Sequence, residues 1–204
     1  MTAATTSTPL PDARAVDGRT ARAARTSDAV VDAWLSLIEE GDLRPGARRI
    51  ADRAGVSLRS VFHHFDDLET LYATAAERQL RRFSMPALMD TGGTLDERIG
   101  AFLAARCRVL ESITPVRRAA VLNEPFSPAL AARLRWAREL ARDEIARVFQ
   151  VELSARKPAD RRELLAALAA ATEWSAWEAL RAHQGLSAAG AARVMRRTVG
   201  ALLR

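Results

Sequence analysis

Apolar residues recur along this chain at three- and four-residue spacings, without sustained alternation, so the pattern predicts helices throughout. Val30, Trp34, Leu37 and Ile38 draw the first, from about Ser27 to Glu40, with Gly41 ending it. Residues 1 to about 24 lack any periodicity and carry two prolines, which predicts a disordered arm whose Arg14, Arg19, Arg22 and Arg25 can reach a minor groove. Leu68, Leu71, Tyr72, Ala75, Leu80 and Phe83 form a long stripe behind an acidic cap at Asp67. Pro86 and the Gly92-Gly93 pair then interrupt the pattern, and the boundary between two halves is expected there.

Beyond it, Thr94-Leu95-Asp96-Glu97 is a capping box opening a helix that Thr114-Pro115 should end. A shorter helix is expected to about Asn123. Ser127-Pro128 opens the next, to about Leu153. Asp160 to His183 reads as one helix closed by Gly185, and Ser187 caps the last. The expectation is all-α: nine helices, no strand, no repeat and no coiled-coil heptads. Its parts are an arm (1–24), a DNA-binding unit (25–83) and a second helical domain (84–204).

The stretch Arg48 to Phe65, RRIADRAGVSLRSVFHHF, organises this reading. Ile50, Ala51 and Ala54 give a short helix an apolar edge. Gly55 stops it, because glycine enters the left-handed conformation at little cost. Ser57 is a good N-cap for a second short helix, with Val61 and Phe65 four apart on its inward face. Two short helices around a tight turn make a helix-turn-helix, the second narrow enough for a major groove.

From Pro45-Gly46-Ala47 through Phe65, with the flanking helices, the chain resembles the DNA-binding domain of the TetR family of transcriptional repressors. IADRAGVS followed by SVFHHF is similar to that family's IAxxAGVS…TLYxHF pattern, over about residues 26 to 83. Three positions depart from it: Phe62 replaces the usual tyrosine, Leu68 the usual lysine, and Gly46 a common threonine cap. The last run, WEALRAHQGLSAAGAARVMRRTVGALL, is similar to the final helix pair of such regulators, with a less specific match.

Charge adds a local point. The net charge is +6, a balance that favours an anionic partner. Residues 1–83 are charge-balanced, however, so the excess lies in the remainder. Near the motif the concentration is local: Arg44, Arg48, Arg49, Arg53 and Arg59 against Asp52. Cys107 is the only cysteine, which excludes an intrachain disulfide and a thiolate metal site and fits a reducing cytoplasm. Neither a signal-peptide core nor an apolar run of membrane-spanning length is present, so no membrane partner is expected.

Enzyme chemistry finds no footing in the pattern. His63, His64, Asp66 and Asp67 resemble a metal cluster only superficially, since adjacent helical residues diverge by ~100°. There is no phosphate-cradling glycine loop and no nucleophile elbow, so neither metal nor cofactor is expected.

For DNA recognition, Arg59, Ser60 and His63 are the expected base-edge readers, because arginine can fork onto guanine while serine and histidine donate or accept. The resemblance implies phosphate contacts from Arg48, Ser57 and His64, with Phe62 limited to apolar contact such as a thymine methyl. It also implies a homodimer on a palindromic duplex, joined by a four-helix bundle of the last two helices. Ala167, Ala171, Trp174, Trp177, Ala188, Ala191, Met195 and Leu202 are its expected contacts. Finally, it implies a pocket for a small-molecule effector, with Phe102, Arg106, Cys107, Trp136 and Trp177 as candidates and Arg106 suggesting an anionic group. The predicted function is therefore repression of transcription, relieved by an effector. The alternative, motivated by Gly46, Phe62 and Leu68, is a helical small-molecule-binding dimer whose degenerate motif no longer binds DNA.

Overall fold

The computed structural model describes residues 13–65, 67–83 and 92–204. Ten α-helices and no strand lie among the described residues. They are α1 (Ala13–Glu39), α2 (Ala47–Ala54), α3 (Leu58–His64), α4 (Leu68–Phe83) and α5 (Leu95–Asn123), then α6 (Pro128–Val148), α7 (Gln150–Ser154), α8 (Pro158–Ala171), α9 (Trp174–Glu178) and α10 (Ala188–Leu203). A 3-10 turn at Glu124–Phe126 and a π turn at Ala179–His183 complete the chain. Among the described residues no helix is long and apolar enough to cross a membrane.

Two cores share one helix. Val30, Trp34, Leu37 and Ile38 of α1 pack with Ile50, Ala51, Val61, Phe65 and Leu71, and Val116 and Ala119 of α5 complete this cluster. Ile99, Phe102 and Leu110, earlier on α5, belong to the second core with Phe149, Leu168, Trp177, Met195 and Val199. At 29 residues, α5 is roughly 43 Å long. It reaches from the core built around α1–α4 to the far end of the second core.

Several expected boundaries move. Of the arm expected over 1–24, residues 13–24 are already helical, and 1–12 lie outside the described residues. Alanine and arginine dominate that segment and both favour helix. The expected break at Thr114-Pro115 is absent, and α5 runs through it. A mid-helix proline costs about 3 kcal/mol, but Leu110, Thr114, Val116, Ala119 and Ala120 are buried on both sides and hold the helix together. The Thr114 hydroxyl donates to the Leu110 carbonyl at 2.7 Å.

The opposite happens at two places. Phe149, fully buried and edge-on to Phe102 at 5.4 Å, leaves helical geometry (φ −109°, ψ 27°) and separates α6 from α7. Residues 160–183 do not form one helix, because Thr172 and Glu173 interrupt it. The Thr172 hydroxyl turns back to the Leu168 carbonyl at 2.8 Å, and Arg106 takes the Thr172 carbonyl at 3.0 Å. A charged donor thus satisfies a carbonyl that the break frees.

Candidate nucleic-acid interface and ligand cavity

The turn between α2 and α3 follows from two residues. Gly55 is left-handed (φ 67°, ψ 30°), and its N–H and that of Val56 close onto the carbonyls at the end of α2. Ser57 is extended and accepts from the Ser60 N–H at 3.1 Å, capping α3. Val61 and Phe65 then face inward and are almost wholly buried. Leu58, Arg59, Phe62 and His63 consequently form an exposed stripe on the opposite side, and Ser60 and His64 are half-buried at its edges. Ser57 Oγ and Ser60 Oγ share a hydrogen bond of 2.8 Å, which consumes one of the two hydroxyl protons. Leu58, 42% exposed, was not singled out in the sequence, although its position four residues before Phe62 places both on one stripe.

The arginines around the motif are not equivalent. Arg53 forks onto Glu40, both contacts 2.7 Å, and also reaches Ser36. This bond holds the Glu40 carboxyl below its ordinary range and pushes the Arg53 guanidinium up. Arg49 pairs with Asp42 at 3.2 Å, and Arg44 donates to the Leu122 carbonyl of α5 at 2.7 Å. Arg48 and Arg59 are exposed, with no side-chain partner among the described residues. Three of the five cations thus brace the unit, and two are left for an external anion.

The second domain holds a cavity of about 170 Å³ between α5, α6 and the α8–α9 junction. Val109, Leu110, Ile113, Val116, Leu134 and Ile145 make it apolar, and Arg106, Arg117, Arg138, Arg142, Glu173 and Trp174 supply its polar wall. Arg117 lies over the Trp174 ring at 5.3 Å, and the Trp174 N–H donates to Thr114 Oγ1 at 3.1 Å. Arg138 pairs with Glu124 at 2.7 Å and Glu173 at 3.4 Å. Burial pushes the pKa of the Arg106 and Arg117 guanidiniums down, against a partial counter-effect from nearby carboxylates.

Of the five residues expected to line an effector pocket, only Arg106 lines this cavity. Phe102 and Trp177 are packed solid in the second core, and Cys107 is buried there with its sulfur 3.9 Å from Met195. Burial pushes the Cys107 thiol up, away from reactivity. Trp136 is 43% exposed under Arg133 and does not line the cavity. Arg117, Arg138 and Trp174 were missed as lining residues. The only signal for them was charge and indole on otherwise apolar helices.

The expected dimer contacts divide similarly. Trp177, Ala191 and Met195 are buried inside the subunit, so they have no surface to offer a second chain. Ala167, Ala171, Trp174, Ala188 and Leu202 keep partial exposure on α8 to α10.

The fold and site define an all-α helix-turn-helix protein with a helical second domain around a cavity. The chain is similar in structure to a transcriptional regulator from Rhodococcus sp. Rha1, at a TM-score of 0.65 and 23% sequence identity. The match covers 89% of this chain and 95% of that one. No protein-family model matches the sequence, and no curated protein does.

Proposed function

We propose that this chain is a sequence-specific, DNA-binding transcriptional regulator of the TetR type, acting as a homodimer that represses and is released by a small molecule. One observation carries the reading. The Ser57-capped helix α3 turns Arg59, Phe62 and His63 outward, with Arg48 unpaired among the described residues while the neighbouring arginines are committed. Such an exposed, cation-bearing short helix fits a major groove, with Arg48 free to meet phosphate. The similarity in fold to a transcriptional regulator supports the same reading.

Two copies are needed because one helix-turn-helix buries too little to select a site. The half-exposed residues Ala167, Ala171, Ala188 and Leu202 on α8 and α10 are the proposed contact. Release would run through α6, which walls the cavity and packs against α4, the helix following the recognition helix. A ligand shifts that equilibrium only by binding one arrangement of α6 better than the other.

Capture of genomic fragments on the purified protein tests the proposal. Enrichment of a shared inverted repeat is the expected result. Recovery of only salt-sensitive, sequence-independent DNA, or none, sinks it and leaves the small-molecule-binding dimer as the reading. Sedimentation tests the dimer independently, and a stable single-chain species at micromolar concentration speaks against it.

A further inference from the structure

We infer that the cavity between α5, α6 and the α8–α9 junction takes an amphipathic organic anion, a carboxylate on an apolar tail, with the head held by Arg106 and Arg117. The assignment rests on reading that cavity as the effector site.

Charge accounting carries it. Four arginines and one glutamate line the space, and the single glutamate is already shared with Arg138. Arg106 and Arg117 are both half-buried, and neither has a carboxylate within ion-pair distance among the described residues. Arg106 spends its Nε–H on the Thr172 carbonyl and has its terminal amino groups unused. Arg117 has only the face of Trp174, which attracts a cation but accepts no hydrogen bond in the guanidinium plane. Half-burying two such groups without a carboxylate partner carries a cost. The direction of the burial effect on both arginines agrees with that cost. Glu144 and Glu173 moderate it at Arg106, while Arg138 aggravates it at Arg117 and Glu124 and Glu173 offset it.

Arg106 and Arg117 line the cavity three turns apart on one face of α5, roughly 16 Å along its axis, so a carboxylate between them accepts from both once their free terminal groups extend toward it, as arginine forks favour. The remaining lining decides the rest of the molecule. Val109, Ile113, Leu134 and Ile145 give it an aliphatic wall that rewards a hydrocarbon tail and offers nothing to a polar body. A cationic ligand of the same shape meets like charge, and a neutral one leaves both arginines unpaired.

Calorimetric titration of the DNA-free, full-length protein with octanoate, octanol and octylamine tests this, since the three differ only in the head. Octanoate is expected to bind about ten-fold or more tightly than octanol, with octylamine weakest. Arg117→Met and Arg106→Met should each cost octanoate about ten-fold and leave octanol unchanged. Arg117→Lys, which keeps the charge and the packing stem, should retain most of the affinity. Equal binding of the three heads overturns the inference, as does full octanoate affinity in Arg117→Met or no octanoate binding at all. Should the methionine variants fail to fold, the ranking on the unaltered protein decides by itself. Because no DNA is present, octanoate binding without genomic enrichment would sink the regulator reading alone, and the reverse result would sink this one alone.

Discussion

Arg133 of α6 meets Glu77 of α4 at 2.5 Å, joining the wall of the cavity to the helix that follows α3. Arg133 also lies over the Trp136 ring at 5.1 Å, so its guanidinium is fixed from two sides. Both partners keep about a third of their side chains exposed (29% and 34%), so the pair sits between a weak surface bridge and a costly buried one. A double-mutant cycle with Glu77→Gln and Arg133→Met should give a coupling of about 1 kcal/mol in denaturant unfolding. A coupling of zero would mean that apolar contacts alone hold α4 against α6.

Two glycines flanking α2 should respond oppositely to substitution. Gly55 is left-handed, and a Cβ there meets no atom within 4 Å, so Gly55→Ala pays for backbone strain alone. The expected loss is roughly 1–2 kcal/mol. Gly46 is extended (φ −70°, ψ 155°) and caps α2 without a side-chain bond, again with open space around it. Gly46→Thr supplies the missing hydroxyl and stiffens the unfolded chain, for a gain of about 0.5–1 kcal/mol. Urea midpoints of the two variants check both signs, and a destabilised Gly46→Thr would show that the cap geometry is wrong.

Those two glycines also mark how far the sequence could be read. The helix-turn-helix was legible because its signals are local: Gly55, Ser57 and the Val61–Phe65 spacing each dictate a conformation within a few residues. The cavity was not. Arg106, Arg117, Arg138 and Trp174 converge from three helices, and helical periodicity cannot tell a residue facing a void from one facing a packed neighbour. Phe102 and Trp177 look as promising in sequence as Trp174, yet they fill the core. The same limit explains the helix ends. Pro115 and Thr172 are read from local propensity as a break and a continuation, and tertiary packing reverses both.

Glu111 ties α5 to the end of α9 and the π turn. It accepts from Arg181 at 2.7 and 3.1 Å and from the Trp177 indole at 2.9 Å. The Arg181 hydrogen bond is the main influence lowering its pKa from 4.5, with burial opposing and Trp177 adding to it. A carboxyl whose folded pKa is depressed stabilises the fold above its unfolded value and loses that contribution as pH falls through the folded one. Glu111→Gln should therefore be less stable than the unaltered protein at neutral pH. The difference should hold above about 4.5 and close as pH drops further. Thermal unfolding across that range checks it, and a pH-independent gap would trace the loss to packing rather than charge.

Arg48 lies on the exposed face of α2 without a side-chain partner among the described residues, so it is placed to displace a condensed counterion from DNA. Arg48→Ala should lower the log–log salt slope by about 1 and weaken all sequences alike. Arg53→Ala behaves differently, because Arg53 is bound to Glu40 and Ser36 and contributes to the unit's shape. Its replacement should alter stability more than the salt slope. Identical slopes for Arg48→Ala and the unaltered protein would place Arg48 away from phosphate.

Arg59 provides the most specific test of α3 as the proposed recognition helix. It is the second residue of α3, directly after the first turn begins, and it is exposed beside Phe62 and His63. Recognition helices bring such positions to base edges, and a guanidinium can pair with both major-groove acceptors of guanine. A pair of that kind discriminates by ~1–3 kcal/mol. Arg59→Ala should therefore relax preference at one position in each half-site, symmetrically, and leave the others alone. The half-sites should lie about one helical turn, or a multiple of it, apart. Because Leu58 and Phe62 are apolar neighbours on the same stripe, the retained positions should favour thymine, whose methyl group they can cover. Selection of bound sequences from a random pool reads all of this at once. If the two selections coincide, Arg59 meets phosphate or solvent, and base reading falls to Ser60 and His63.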